Sequence, residues 1–456
     1  MTFLYQKGHT ASLSAVAALL LFLAGCEPKE GAPPAVAVAP PPPTAAKSHP
    51  PAQQSAFYAD SFSKRPTVPE MTRLGRSLFF DPLLSASGQL ACATCHDPKF
   101  AYGPPPKGVT IHADRKSVPL VIARAIPSLK YLQTVPPFGE HHYDEAVDES
   151  VDQGPTGGHM WDGRADTLHD QARLPLFSAS EMANTSAEQI VAVVRRGAHA
   201  QCVKSTFGDD VFDDNEKAFK AVLMALEVFQ QSPREFYPYD SKYDSWLRGK
   251  AQLSEAETRG LKWFNDPHGG NCANCHPSQI RNGSFPQFTD FGLIALGVPR
   301  NPALAANKDS SYFDLGLCGP QRTELKSKGE YCGLFKAPSL RNVTLRHTFF
   351  HNGVYRDLRE VVDFYVERDS HPEKFYPKSK DGQVNKFDDL PAQYHNNVNT
   401  ESPFGEESAG RGPLPKKQLD DVMAFLATLT DGYQDPKNPQ PPASDPTCSG
   451  GEAGAD

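Results

Sequence analysis

The sequence predicts a mainly α-helical fold in two related domains with long loops, and three observations carry that prediction. Apolar residues recur at helical spacing at Phe219, Val222, Leu223, Leu226 and Phe229, and again at Leu419, Val422, Met423 and Leu426, so each stretch buries one face. No run of alternating apolar and polar residues marks a strand. One pattern is written twice. Thr67 followed by Glu70 opens a helix through Leu74, Gly75 and Leu78-Phe79-Phe80-Asp81, and Ser254 followed by Glu257 opens another through Gly260, Trp263-Phe264 and Asp266. Each pair is a capping box, in which the first side chain bonds a free helix amide and the acid three residues on bonds back.

At 456 residues the chain exceeds one ordinary core, which points to two domains. Only 39% of residues are apolar and 42 are proline, a balance that calls for long loops and an unfolded stretch. The net charge of -8, with no basic stripe to offset it, excludes nucleic acid as a partner and suits a small basic protein better.

Residues 1–25 read as an export signal, with Lys7 in a polar start and an apolar run from Ala11 to Ala24. That run is too short for a membrane-spanning helix, and nothing later is apolar enough to replace it. It ends in Leu23-Ala24-Gly25-Cys26, which resembles a bacterial lipobox, so cleavage would leave Cys26 as a lipid-bearing N-terminus. Ordinary cleavage nearby with a spare cysteine is the competing reading. Residues 26–55 are rich in Pro and Ala, with Pro40 to Pro43 in one run, and read as an extended tether. The expected organisation continues with an N-terminal domain over 56–245, a C-terminal domain over 246–434 and a flexible tail over 435–456. The destination is the periplasm, with the membrane touched only through the lipid.

Cys92-Ala-Thr-Cys95-His96 and Cys272-Ala-Asn-Cys275-His276 are both C-x-x-C-H. At this spacing two thiols reach the vinyl groups of a haem while the following His coordinates its iron. A thioredoxin-like pair or a zinc site is the alternative, but neither requires His directly after the second Cys twice. Export agrees, because c-type haems are attached outside the bacterial cytoplasm. The chain is therefore read as two cytochrome c-like domains carrying two covalent haems, with His96 and His276 as iron ligands. Cys202, Cys318, Cys332 and Cys448 remain, and an oxidising compartment allows them two disulfides. Cys318 with Cys332 is the natural pair because it closes a short loop containing glycine. Cys202 with Cys448 would be what is left, and the sequence alone leaves the pairing open.

From about Arg73 to Leu429 the chain resembles the bacterial dihaem cytochrome c peroxidases and their relative MauG. The resemblance rests on Leu-Gly-Arg-Ser-Leu-Phe-Phe-Asp-Pro at 74–82, Trp161-Asp-Gly-Arg-Ala165, Gln171-Ala172, Glu181-Met182, and Phe335-Lys-Ala-Pro-Ser-Leu-Arg-Asn-Val343 leading to His351-Asn-Gly353. It implies a peroxide-binding N-terminal haem with His96 proximal and the far side open. Gln171 and Glu181 match the family's distal pair. The chemistry wants a carboxylate there, because cleaving the O–O bond requires a proton to pass from one peroxide oxygen to the other. Gln171 would hold peroxide by hydrogen bonding. Outside that motif, a Gln and a Glu near helix ends usually cap or face solvent. Trp161 matches the tryptophan between the two haems, where an indole relays an electron or shares a radical; packing alone is its bland role.

At the C-terminal haem the family's sixth-ligand position, Met in the peroxidases, is occupied by Tyr365, as it is in MauG-like members. Leu358, Val361, Val362 and Tyr365 share a helical face, which turns the phenol inward. A phenolate is a hard anionic donor that favours oxidised iron, so this haem would store electrons poorly and hold oxidising equivalents well. A core tyrosine bonded elsewhere is the alternative. After His276 the only Met is Met423, already on the apolar face of the last helix.

The chain departs from the family in two places. Ser117 stands where the peroxidases carry a His that blocks the distal site until reduction, and His112 is out of register, so the N-terminal haem is expected to be open without reductive activation. The family's calcium site uses an Asn where this chain has Ala125, and Arg346 and Thr348 replace residues that supply carbonyls. Backbone carbonyls survive substitution, but calcium loses its side-chain ligand.

Three functions follow. The first is a peroxidase reducing hydrogen peroxide at the N-terminal haem with electrons from a small periplasmic cytochrome c or cupredoxin, the C-terminal haem and Trp161 relaying or sharing the oxidising equivalents. The second is a MauG-like enzyme that oxidises residues of a protein partner through a high-valent dihaem state, toward which Tyr365 tilts the reading. The third is a non-catalytic dihaem electron carrier, which needs no Glu181.

Overall fold

Thr67 and Ser254 start their helices as the capping boxes require, with both arms of each box formed: Glu70 and Glu257 bond back to the backbone N–H of their own caps at 3.0 and 2.6 Å. In the computed structural model the described residues are 62–113, 116–119, 123–143, 152–405, 415–434 and 447–448. The expected signal, Cys26, the tether and the tail apart from 447–448 lie outside them.

The fold is mainly α-helical. The helices of the first half are α1 (Val68–Phe79), a single turn α2 (Cys92–Cys95), α3 (Leu168–Phe177), α4 (Ala187–Arg196), α5 (Ala200–Phe207), α6 (Asn215–Gln230) and a short α7 (Pro233–Phe236). The second half contributes α8 (Lys242–Leu247), α9 (Glu255–Asn265), α10 (Leu358–Glu367) and α11 (Lys416–Ala427). Strand content among the described residues is small. A hairpin joins β1 (Thr110–Ala113) to β2 (Lys116–Pro119), and β3 (Leu293–Ile294) pairs antiparallel with β4 (Phe335–Lys336). His112 and Ser117 are partners across that hairpin.

Two large apolar clusters organise the chain. The first gathers Leu74, Leu78, Phe79, Ile190, Phe219 and Phe229 with their neighbours; the second gathers Tyr243, Phe264, Phe288, Val362, Phe425 and Leu426 with theirs. Each is built on one tight helix crossing, and the repeated glycine of the sequence pattern lies at both. A Cβ on Gly75 would stand 1.9 Å from the carbonyl oxygen of Ala225 in α6, and one on Gly260 would stand 2.0 Å from that of Asp421 in α11. Only glycine lets the two backbones meet so closely.

Between the clusters, buried charges are paired. Arg341 and Asp244 form a two-point ion pair at 2.7 and 2.8 Å with both side chains fully buried, and the rings of Tyr131 and Tyr239 flank the guanidinium. Such pairing is what permits full burial of a charge. Disulfides join Cys318 to Cys332 and Cys202 to Cys448, the pairing the sequence had left open.

Candidate active site

Each C-x-x-C-H motif forms one tight turn that brings its histidine back over its first cysteine. The amide of His96 donates to the Cys92 carbonyl at 2.8 Å, and that of His276 to the Cys272 carbonyl at 2.9 Å. Both imidazoles are then oriented alike. His96 Nδ1 meets the Tyr102 carbonyl at 2.9 Å, and His276 Nδ1 meets the Phe288 carbonyl at 2.8 Å. Tyr102 and Phe288 each hold a left-handed backbone with φ of 54°. That conformation is unusual for a ring-bearing residue and here turns the carbonyl onto the histidine. Burial pulls both imidazoles down to about 4, against the opposing pull of those carbonyls, so each ring is neutral at physiological pH. A neutral ring whose Nδ1 proton is committed to a carbonyl presents the lone pair of Nε2, the arrangement a metal-binding histidine needs.

Cys92, Cys95, Cys272 and Cys275 are all free thiols. Burial pushes Cys92, Cys272 and Cys275 up to about 12 and Cys95 to about 11. Above each pair opens a cavity. The N-terminal cavity is lined by Cys92, Cys95, His96, Trp161, Gln171 and Glu181. The C-terminal cavity is lined by Cys272, Cys275, His276, Tyr365 and again by Trp161 and Gln171. Its wall also holds buried polar atoms without partners, among them Ser402 Oγ and His159 Nδ1. Two free thiols, an oriented neutral imidazole and orphaned polar groups fit a covalently held haem carrying polar substituents.

Gln171 stands on α3 and Glu181 on the turn that follows it. Pro175 interrupts α3, so the helical bond to the Gln171 carbonyl is missing. Gln171 Nε2 approaches Met160 Sδ at 3.7 Å. Glu181 is partly buried, and its amide bonds the Ser178 carbonyl at 3.0 Å. Burial raises its carboxyl above the usual range, and a hydrogen bond from Ser178 and the charge of Arg164 only partly offset this.

Trp161 forms a wall of both cavities, and its indole Nε1 donates to the Ala125 carbonyl at 2.7 Å. The next residue, Asp162, is wholly buried and accepts from Arg124 at 2.6 Å and Arg164 at 2.8 Å, which locks the turn. Arg124 also binds Asp314 at 2.6 and 2.8 Å. Ala125 is engaged on both sides of its peptide, since its amide donates to the His351 carbonyl at 2.7 Å. Among the described residues, no cluster of three His, Cys, Asp or Glu side chains forms a metal site.

Tyr365 projects from α10 into the C-terminal cavity, with the rings of Phe350 and Phe404 at 6.0 and 5.4 Å. No described residue hydrogen-bonds its hydroxyl. Burial, with the neighbouring Cys275 and Cys272, pushes the phenol well above its ordinary range. Met423 packs against the second apolar cluster and does not line the cavity. Met160, a wall residue of both cavities, escaped the sequence reading, and Arg164, Lys336 and Arg346 were named there without a role in the cavities.

Fold and site together define a mainly α-helical oxidoreductase with two c-type haem sites. Residues 69–252 match the family described as di-haem cytochrome c peroxidase. The methylamine utilization protein MauG of Paracoccus denitrificans is 32% identical over 391 residues, covering 82% of this chain and 91% of the relative. Cytochrome c551 peroxidase of Nitrosomonas europaea is 26% identical over 65% of this chain and 73% of its own length. The crystal structure of the dihaem peroxidase BthA from Burkholderia thailandensis superposes with a TM-score of 0.67 at 35% identity, covering 80% of this chain and 87% of that one. The chain belongs to the bacterial dihaem cytochrome c peroxidase and MauG family, and is a peroxidase-like haem oxidoreductase.

Proposed function

We propose that this protein reduces hydrogen peroxide in its N-terminal cavity, with Trp161 and the C-terminal haem passing or sharing the oxidising equivalents. The observation that carries the reading is the convergence of His96, Gln171 and Glu181 on one cavity, with Glu181 partly buried. A bound haem supplies an iron centre that takes an axial ligand and exchanges electrons. The protein supplies the proton handling. The Gln171 side chain orients peroxide, and the Glu181 carboxylate takes the proton from one oxygen and returns it to the other, so that water can leave. Replacing Glu181 by Gln keeps the shape and removes the base; turnover of peroxide should fall by about 10²-fold or more. An unchanged rate would remove Glu181 from the chemistry.

The placement of Tyr365 in the C-terminal cavity favours a second reading, in which the oxidising equivalents are delivered to residues of a protein partner rather than drawn off by a small cytochrome c or cupredoxin. Peroxide added without donor separates the two: a long-lived oxidised spectrum supports the second, and rapid return to the starting spectrum supports the first. We place the mature protein in the periplasm, lipid-anchored at Cys26, in agreement with the exported character of the sequence. Calcium enters neither reading.

A further inference from the structure

Arg346 is a part-buried cation with no counter-charge among the described residues. Its guanidinium lines the cavity above Cys272, Cys275 and His276. One nitrogen, Nη2, donates to the Arg341 carbonyl at 2.6 Å, and Nε is buried with no acceptor. No described carboxylate pairs with it, and burial draws it down to about 10 with nothing opposing. The buried arginines are different: Arg124 holds Asp162 and Asp314, Arg322 holds Glu324, Arg341 holds Asp244, and Arg368 holds Asp369. Lys336, a second part-buried cation of this wall, has Asp162 close enough to favour its charge.

An ionised group is not left uncompensated in a protein interior, because losing its hydration is offset only by an opposite charge or a full set of hydrogen bonds. What fills the cavity is placed to supply the missing charge. Nε–H and the second N–H of Nη2 lie side by side as two parallel donors, the geometry that matches a carboxylate. Haem brings carboxylates on its propionate arms. We propose that Arg346 binds a propionate of the haem held by Cys272, Cys275 and His276, and that its charge raises the reduction potential of that haem. The proposal rests on the dihaem reading. Without the guanidinium, the propionate charge would favour oxidised iron, and the potential would fall.

The test is a redox titration of the holoprotein and of Arg346→Gln and Arg346→Lys, with the haem content of each counted by pyridine haemochrome. The expected result is two haems in each protein, a lower C-terminal potential in Arg346→Gln, a potential close to the parent's in Arg346→Lys, and no shift at the N-terminal haem. The Lys variant gives a second readout, since its point charge replaces a two-point contact: the propionate bending band of the C-terminal haem in resonance Raman should move. This readout decides the matter even if Arg346→Gln yields no holoprotein. Two haems with an unmoved potential in Arg346→Gln, or an unmoved band in Arg346→Lys, would overturn the Arg346 assignment alone. A parent protein lacking haem at His276 would overturn the dihaem reading and the assignment with it.

Discussion

The indole of Trp161 donates a 2.7 Å hydrogen bond to the Ala125 carbonyl while its ring walls both cavities. This fixes the ring at the boundary of the two cavities, where the proposed relay would use it. Trp161→Phe keeps an aromatic of similar bulk and removes the N–H anchor. Both haems should still attach, and peroxide turnover should slow at least about tenfold, equivalent to about 1.4 kcal/mol of barrier. Stopped-flow absorbance reads this directly, and a variant as fast as its parent would take Trp161 out of the relay.

The raised carboxyl of Glu181 predicts where activity fails in acid. The side chain must be ionised to accept a proton. Because burial lifts its pKa above the ordinary 4.5, it takes up a proton at a higher pH than a solvated glutamate as pH falls. The acid limb of the rate profile should therefore lie above 4.5 and be absent from the residual activity of Glu181→Gln. The sign for folding is opposite: a carboxyl with a raised folded pKa favours the native state below its unfolded pKa, and that contribution is lost as pH rises through the folded value. A rate profile with its acid limb unchanged in Glu181→Gln would assign that limb to another group.

Tyr365 has no hydrogen-bond partner among the described residues and faces the cavity of His276. On the reading that Tyr365 ligates the C-terminal iron as a phenolate, Tyr365→Met exchanges an anionic oxygen donor for a neutral thioether, which favours reduced iron. The potential of the C-terminal haem should rise and its spectrum should change. Identical potentials in parent and variant would leave Tyr365 as a packing residue.

The Cys202–Cys448 disulfide spans 246 residues and, with the Cys448 amide bonded to Ser77 Oγ at 2.9 Å, holds the end of the chain against α1 and α5. Cys448→Ser should cost roughly 2–5 kcal/mol of stability, since a crosslink over a long loop restricts the unfolded chain. Denaturant unfolding of the parent and variant, both unreduced, measures the difference. Coincident curves would show that the bridge adds nothing to the native state's advantage.

Local signals were legible and distant ones were not. The capping boxes at Thr67 and Ser254 and the apolar faces of α6, α10 and α11 are written in consecutive residues, so periodicity finds them. The haem motifs are equally local. Gln171, Glu181, Trp161 and Tyr365 were reached only through family resemblance, because ordinary residue types at unremarkable spacing carry no signal of their own. The ion pairs Arg341–Asp244 and Arg124–Asp314 join residues 97 and 190 positions apart, and the lack of a described carboxylate beside Arg346 is a fact of the fold that no stretch of consecutive residues records. The β1–β2 hairpin also escaped, being too short to show alternation.

Both iron-binding imidazoles lean on a main-chain oxygen, that of Tyr102 or that of Phe288, rather than on a carboxylate. A carboxylate in that place would draw the ring toward imidazolate and strengthen its push on the metal; a peptide oxygen does so far less. The two proximal imidazoles are therefore held alike. On the proposed reading their division of labour lies on the opposite faces, where one offers an acid and an amide to an incoming oxidant and the other a phenol to the metal itself.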